Sequence, residues 1–305
     1  MRSAFLLRLC AALVALATAD LTADDQVRFR PFVLASVSDA SLEQQGAATV
    51  AALEQAGFSL VGQYAPLDSA RVLIVTDPEL LAVAAGSDRG GYGAAQRVSV
   101  ARRDDRTEVA FVNPLYLQHA FRLQGDVQGV YDRLTSALGF VEAFGSSKGL
   151  TAKKLAHYHY MMGMQRFDDP SELGEFPDHA AALAAVEAGL ARPGDALSRV
   201  YRIDLPGQQQ SVFGVAMRAT AGAKDEQDID EAHQLDVVDF EGHSKAAYFP
   251  YELLVDGPRV EALHMRFRMA VHFPDLSMMG EHGFTSLMAS PGATEKALEA
   301  LLQEH

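Results

Sequence analysis

The stretch ARVLIVTDPEL, residues 70–80, contains a complete change of secondary structure without a linker. The β-branched run through Val72, Ile74, Val75 and Thr76 reads as a strand. Asp77 then offers a side-chain oxygen as a helix cap, and Pro78 suits the first helical position because its missing N–H has no intrahelical partner there. A strand thus runs directly into a short helix.

Working outward, FSLVGQY (58–64) is a second strand and FVLASV (32–37) a third. Between them Asp39 or Ser41 caps SLEQQGAATVAALEQAG, a helix with Leu42, Val50 and Leu53 on one side and Gly57 as its stop. Downstream, GSDRGGYG (86–93) is a loop, and AAQRVSVAR and TEVAFV form a hairpin around Asp104-Asp105. Helices around 115–122 and 127–141 close this half.

The middle of the chain reads differently. FGSSKGLTAKKLAHYHYMMGM (144–164) predicts one helix entered at Thr151, DDPSEL (168–173) repeats an Asp-Pro-x-Glu helix start, and PDHAAALAAVEAGLA is a third helix. Strands then return as VYRIDL, SVFGVAM and QLDVVDF. The hairpin AYFPYELLVDG/VEALHMRFRMAVHF follows, and ATEKALEALLQ is a last helix. In both hairpins Pro114 or Pro274 ends the second strand and a helix follows soon after.

The order strand, helix, Gly-Phe, strand, strand, Asp-Pro, helix, hairpin over residues 32–123 resembles the domain of unknown function 302 family. AGFSLVGQY, VLIVTDPEL and the hairpin ending VAFVNP carry the resemblance. The C-terminal half looks like a divergent second copy. The resemblance implies an α+β fold of two related halves, each a twisted, mainly antiparallel sheet with helices on one face. It brings no activity. The expected organisation is a leader over 1–19, a first domain over 27–145, a helical connection over 146–195 and the second copy over 196–305.

The leader reading rests on Arg2 and Arg8, an apolar run from Leu9 to Ala17 too short to span a bilayer, and the small residues Ala17-Thr18-Ala19 before Asp20; Ala23 is a second cleavage point. The expected location is periplasmic or secreted. Cys10, the only cysteine, would leave with the leader, and disulfides, thiolate catalysis and zinc-thiolate sites with it. With 26 basic against 40 acidic residues, a net charge of −14, the chain lacks the cationic surface that nucleic acid or anionic membranes require. Phosphate-loop, dinucleotide-fingerprint, G-x-S-x-G, H-E-x-x-H and EF-hand patterns are absent.

Four stretches carry candidate chemistry. Read as a strand, HMRFRMAVHF (264–273) puts Met265, Phe267, Met269, Val271 and Phe273 on one face and His264, Arg266, Arg268 and His272 on the other. The second set would suit a carboxylate or other anion. It would equally suit a solvated face, or arginines paired with Glu252 or Glu261 across the hairpin. The acidic run 225–243 holds Asp228, Asp230, Glu231, His233, Asp236 and His243, oxygen-rich enough for a hard cation but lacking calcium-loop spacing.

LAHYHYMMGMQR (155–166) supplies His157, His159 and Met161, and SMMGEHGF (277–284) supplies Met278, Met279 and His282. Thioether and imidazole together favour Cu(I). As plain structure the first would be a buried central helix and the second a turn whose methionines fill gaps in the core. The expectation is therefore a binding protein without catalysis, for a small ligand or a soft metal such as copper. The alternatives are a hydrolase or lyase using the His/Arg set of 264–272, and a structural or interaction module presenting a sheet edge.

Overall fold

The computed structural model describes residues 27–193, 196–220 and 223–303; the expected leader lies outside them. The first half runs β1 (Phe32–Ser38), α1 (Leu42–Gln55), β2 (Ser59–Leu67), β3 (Ala70–Thr76), α2 (Pro78–Ala85), β4 (Gln96–Arg103), β5 (Arg106–Val112), α3 (Pro114–Ala120) and α4 (Gln128–Leu138). After β6 (Glu142–Phe144) and α5 (Ala152–Ala156), the second runs β7 (Ser171–Glu175), α6 (His179–Leu190), β8 (Leu197–Asp204), β9 (Gln210–Met217), α7 (Glu231–Val238), β10 (Tyr251–Asp256), β11 (Arg259–Ala262), α8 (Met265–His272) and α9 (Ser290–Leu301).

Apart from short 3-10 turns, the two element orders are the same. So are the sheets. The first is ordered β2-β3-β4-β5-β1 with β6 added beside β1, and the second β8-β9-β10-β11-β7. All named pairings are antiparallel. The fold is α+β in two related halves. The repeated order begins at β7, inside the stretch expected to be a helical connection.

Local rules account for much of the first half. Ser41 caps α1 in a full capping box with Gln44, and Asp77 accepts from Leu80 N at 2.8 Å to start α2. Alternation decides the layers. Val33, Leu73, Val75, Val98, Val100, Val109 and Phe111 point outward into a core shared with Leu53 of α1 and Leu134 of α4. Phe32, Leu34, Val72, Ile74 and Ala110 point the other way, into a core continuous with Val212, Phe213 and Leu254 of the second sheet.

The two sheets therefore face each other, and each half sends a 3-10 turn onto the other's sheet. Gly90–Gly93 packs on β9 and β10, and Ala246–Tyr248 packs on β3, β4 and β5. Gly91 is needed for that approach, since a Cβ there would stand 2.4 Å from Leu254 Cδ1. Its N–H donates to Gln210 Oε1 at 2.8 Å.

Four expected elements come out otherwise. DDPSEL forms strand β7, not a helix, because residues 171–175 pair with β11 as β1 pairs with β5. QLDVVDF lies largely within α7, which Asp230 caps by accepting from Ala232 N and His233 N. The helix expected over 151–164 stops after Ala156. The strand expected over 264–273 is the helix α8.

Candidate functional site

At α8 the hairpin ends with Ala262 and the His264 side chain caps a helix by accepting from Arg266 N at 3.1 Å. The helix is buried nearly all round, and only Arg266 among Met265–His272 is exposed. An alternating apolar run of this length is compatible with either element, and burial on most sides resolves it as helix. The four residues expected to share one strand face are consequently separated. His264 is a half-buried cap and Arg266 faces solvent. Arg268 and His272, four residues apart, share one helix face and lie between the sheets at 1% and 0% exposure.

There they meet Arg97 of β4 and Glu252 of β10. Arg97 Nη1 donates to Glu252 Oε2 at 2.8 Å, and Tyr201 Oη donates to the other carboxylate oxygen at 2.9 Å. Arg268 Nη2 donates to the carbonyls of Tyr248 at 2.7 Å and Pro250 at 2.5 Å, and lies 3.8 Å from Glu252 Oε2. His272 Nδ1 donates to Arg268 O at 2.8 Å, which leaves Nε2 to accept from Arg97 Nη2 at 3.1 Å. The imidazole is thereby neutral. Burial, reinforced by the two guanidinium charges, pushes its pKa well below the ordinary histidine value.

A second buried carboxyl is that of Glu231. Glu231, at the start of α7, accepts from Tyr64 Oη at 3.1 Å, and burial raises its pKa to about 8. Glu261, offered from the sequence as an arginine partner, pairs with Arg89 at 2.9 Å. Glu252, offered in the same way, is the network's carboxylate. The sequence reading missed Arg97, Tyr201 and Tyr64. Arg97, set among the buried residues at the start of β4, was the available signal.

The acidic run 225–243 is divided among separate tasks. Asp230 caps α7, Glu231 is buried, and Asp239 pairs with Arg103 at 2.8 Å and Lys245 at 3.6 Å. His243 bridges Glu108 at 2.7 Å and Glu142 at 3.1 Å, and hydrogen bonds to both carboxylates raise its pKa despite partial burial. Among the described residues no group of three or more His, Cys, Asp or Glu is arranged to hold a metal ion.

The two Met/His stretches lie at the surface and against each other. Past α5 the chain leaves the helix because its tyrosines reach for carbonyls elsewhere. Tyr158 Oη donates to Ala270 O at 2.8 Å and Tyr160 Oη to Leu276 O at 3.3 Å. The Tyr160 ring then packs edge-on to Phe284 at 4.7 Å, joining the 157–164 loop to the 276–288 loop. The buried central helix expected there is not formed. Met161 is 46% exposed, Met162 95%, Met278 37% and Met279 71%, so these sulfurs are not core filler. His157 is exposed, His159 Nδ1 donates to the carbonyl of His157 at 3.1 Å, and His282 stacks on Phe240 at 4.3 Å.

No protein-family model, no curated protein and no solved structure matches this chain. Among the described residues no helix is long and apolar enough to cross a membrane.

Proposed function

We propose that the protein is an exported binding protein, made of two divergent copies of a 302-like domain, that holds a soft metal as Cu(I) on the paired 157–164 and 276–288 loops. The matching element order of the halves supports the duplication. The basic and apolar pattern of residues 1–19 supports export. The observation that carries the metal reading is the Tyr160–Phe284 contact, which brings a loop with His157, His159 and Met161 beside a loop with Met278, Met279 and His282. Exposed thioethers and imidazoles are ligands for a soft monovalent ion, and a site on loops exchanges its metal readily.

Binding is favoured over turnover because the set suited to acid-base and oxyanion work is divided: His272 and Arg268 are buried between the sheets, while His264 caps α8 and Arg266 faces solvent. The test is an anaerobic competition of the purified protein against a chromophoric Cu(I) chelator. Wild type should withdraw Cu(I) from the chelator. Replacing Met161, Met278 and Met279 together by isoleucine should weaken that competition at least tenfold. A wild-type protein that leaves the chelator loaded, or a triple variant that competes equally, removes the proposal.

A further inference from the structure

We infer that the free edge of the Arg268 guanidinium, between the two sheets, is a binding site for a small monovalent anion of chloride size.

Three observations carry this. The first is the local count of charges. Arg97 and Arg268 are 2% and 1% exposed, and a single carboxylate, Glu252, touches both. His272 contributes no negative charge. Glu231, the next buried acid, has its carboxyl engaged by Tyr64, and burial raises its pKa to about 8 while the Arg268 charge draws it back down. Glu252 is thus the one carboxylate that pairs with either guanidinium among the described residues.

The second is the set of donors. Arg268 spends Nη2 on two backbone carbonyls, while Nε and Nη1 are buried and have no hydrogen-bond partner among the described residues. The Tyr248 hydroxyl is buried beside it, close enough to interact with the guanidinium, and has no other partner among the described residues. The rings of Tyr248 and Tyr251, 4.2 and 4.8 Å from the guanidinium carbon, cover its faces, so only the in-plane edge can receive a ligand. Donors in that plane are what an anion needs.

The third is the other half of the molecule. Asn113 caps α3 two residues after Phe111, which pairs with Val98; His264 caps α8 two residues after Ala262, which pairs with Leu253. Counting from these caps, Leu117 stands in the first half where Arg268 stands in the second, and it is equally buried at 2%. The fold does not require an arginine there. An uncompensated buried charge is strongly unfavourable, so its presence calls for a partner.

Size follows from the surroundings. The cavity of about 700 Å³ beside α9 and that of about 220 Å³ beside Arg103 are not lined by Arg268. A guanidinium edge buried between two packed sheets suits a halide or nitrate, not a phosphate or an organic acid.

The test is crystallographic and thermal. Crystals grown in bromide should show an anomalous peak within hydrogen-bonding distance of Arg268 Nε or Nη1 and the Tyr248 hydroxyl. The melting temperature should rise and saturate with chloride at constant ionic strength made up with gluconate. Arg268→Lys, which keeps the charge and loses the forked donors, should lose that rise. An ordered water bridging Arg268 to Glu231, bromide confined to the surface, or equal melting in chloride and gluconate would overturn the assignment. The bromide experiment uses wild type alone, so a variant that fails to fold does not rescue the idea.

Discussion

Helices α3 and α8 occupy the same place in the two halves, and their inner faces differ in kind. The positions facing the interface are Leu117 of α3 and Phe121, which ends that helix, while in α8 the corresponding residues are Arg268 and His272. The same count places Arg97 and Glu252 at one position, each one residue before the cross-strand pair Val98–Phe111 or Leu253–Ala262. One half contributes the cation there and the other the anion, and they pair across the interface at 2.8 Å. A repeated backbone therefore supports an interface that is apolar on one helix and ionic on its counterpart. The topology tolerates both because α3 brings no charge to the interface, while the charge on α8 lies beside the carboxylate of Glu252.

Breaking the pair should have the largest effect. Glu252→Gln leaves two buried guanidiniums without a carboxylate, and urea unfolding should show a loss of about 3–5 kcal/mol. If Glu252→Gln stays within 1 kcal/mol of wild type, on the order of a surface substitution, then the ionic pair does not join the halves.

Next comes the close approach at the sheet edges. A Cβ on Gly62 of β2 would stand 2.7 Å from Val200 O and 2.9 Å from Tyr201 Cβ of the other half's β8. Both neighbours are near the main chain and cannot swing away, so Gly62→Ala should cost about 1–3 kcal/mol in thermal or chemical unfolding.

Transplanting the first half's residues should cost less. The double variant Arg268→Leu with His272→Phe replaces buried polar groups by the pair that α3 already uses. Its stability at neutral pH should lie within about 1.5 kcal/mol of wild type.

The same positions differ in how they respond to pH. His272 has a folded pKa below its ordinary 6.5, so the unfolded chain binds the proton more tightly and stability falls as pH drops below 6.5. His272→Phe should remove that loss from an acid titration of stability. Glu231 goes the other way. Its folded pKa of about 8 lies above the ordinary 4.5, so its stability contribution is complete below pH 4.5 and is lost as pH rises toward 8. Glu231→Gln should flatten the curve across that window. A curve unchanged by either substitution would mean that the group is solvated and not sealed in the interface.

Legibility followed the range of the interactions involved. Ser41 and Asp77 each satisfy an N–H three residues ahead, and the hairpin of β4 and β5 turns at the Asp104-Asp105 pair that marks it in the sequence. Of the candidate residues, Arg268 and His272 do come together, although on a helix face and out of reach of solvent. The Met/His stretches do meet, but as loops. His264 and Arg266 could not be separated from Arg268 and His272 while period-two alternation was taken as a strand.

The sequence by itself determined the α+β class, the caps, the hairpins and the internal resemblance of the two halves, because these depend on residues a few positions apart. Tertiary structure decided that 171–175 is a strand, that 265–272 and 234–238 are helix, and that 157–164 is not. Each of those segments obeys a partner far away in sequence: β11 for β7, the opposing sheet for α8, and the carbonyls of Ala270 and Leu276 for Tyr158 and Tyr160. Arg97 and Glu252 lie 155 residues apart, and no local pattern in the chain could have joined them.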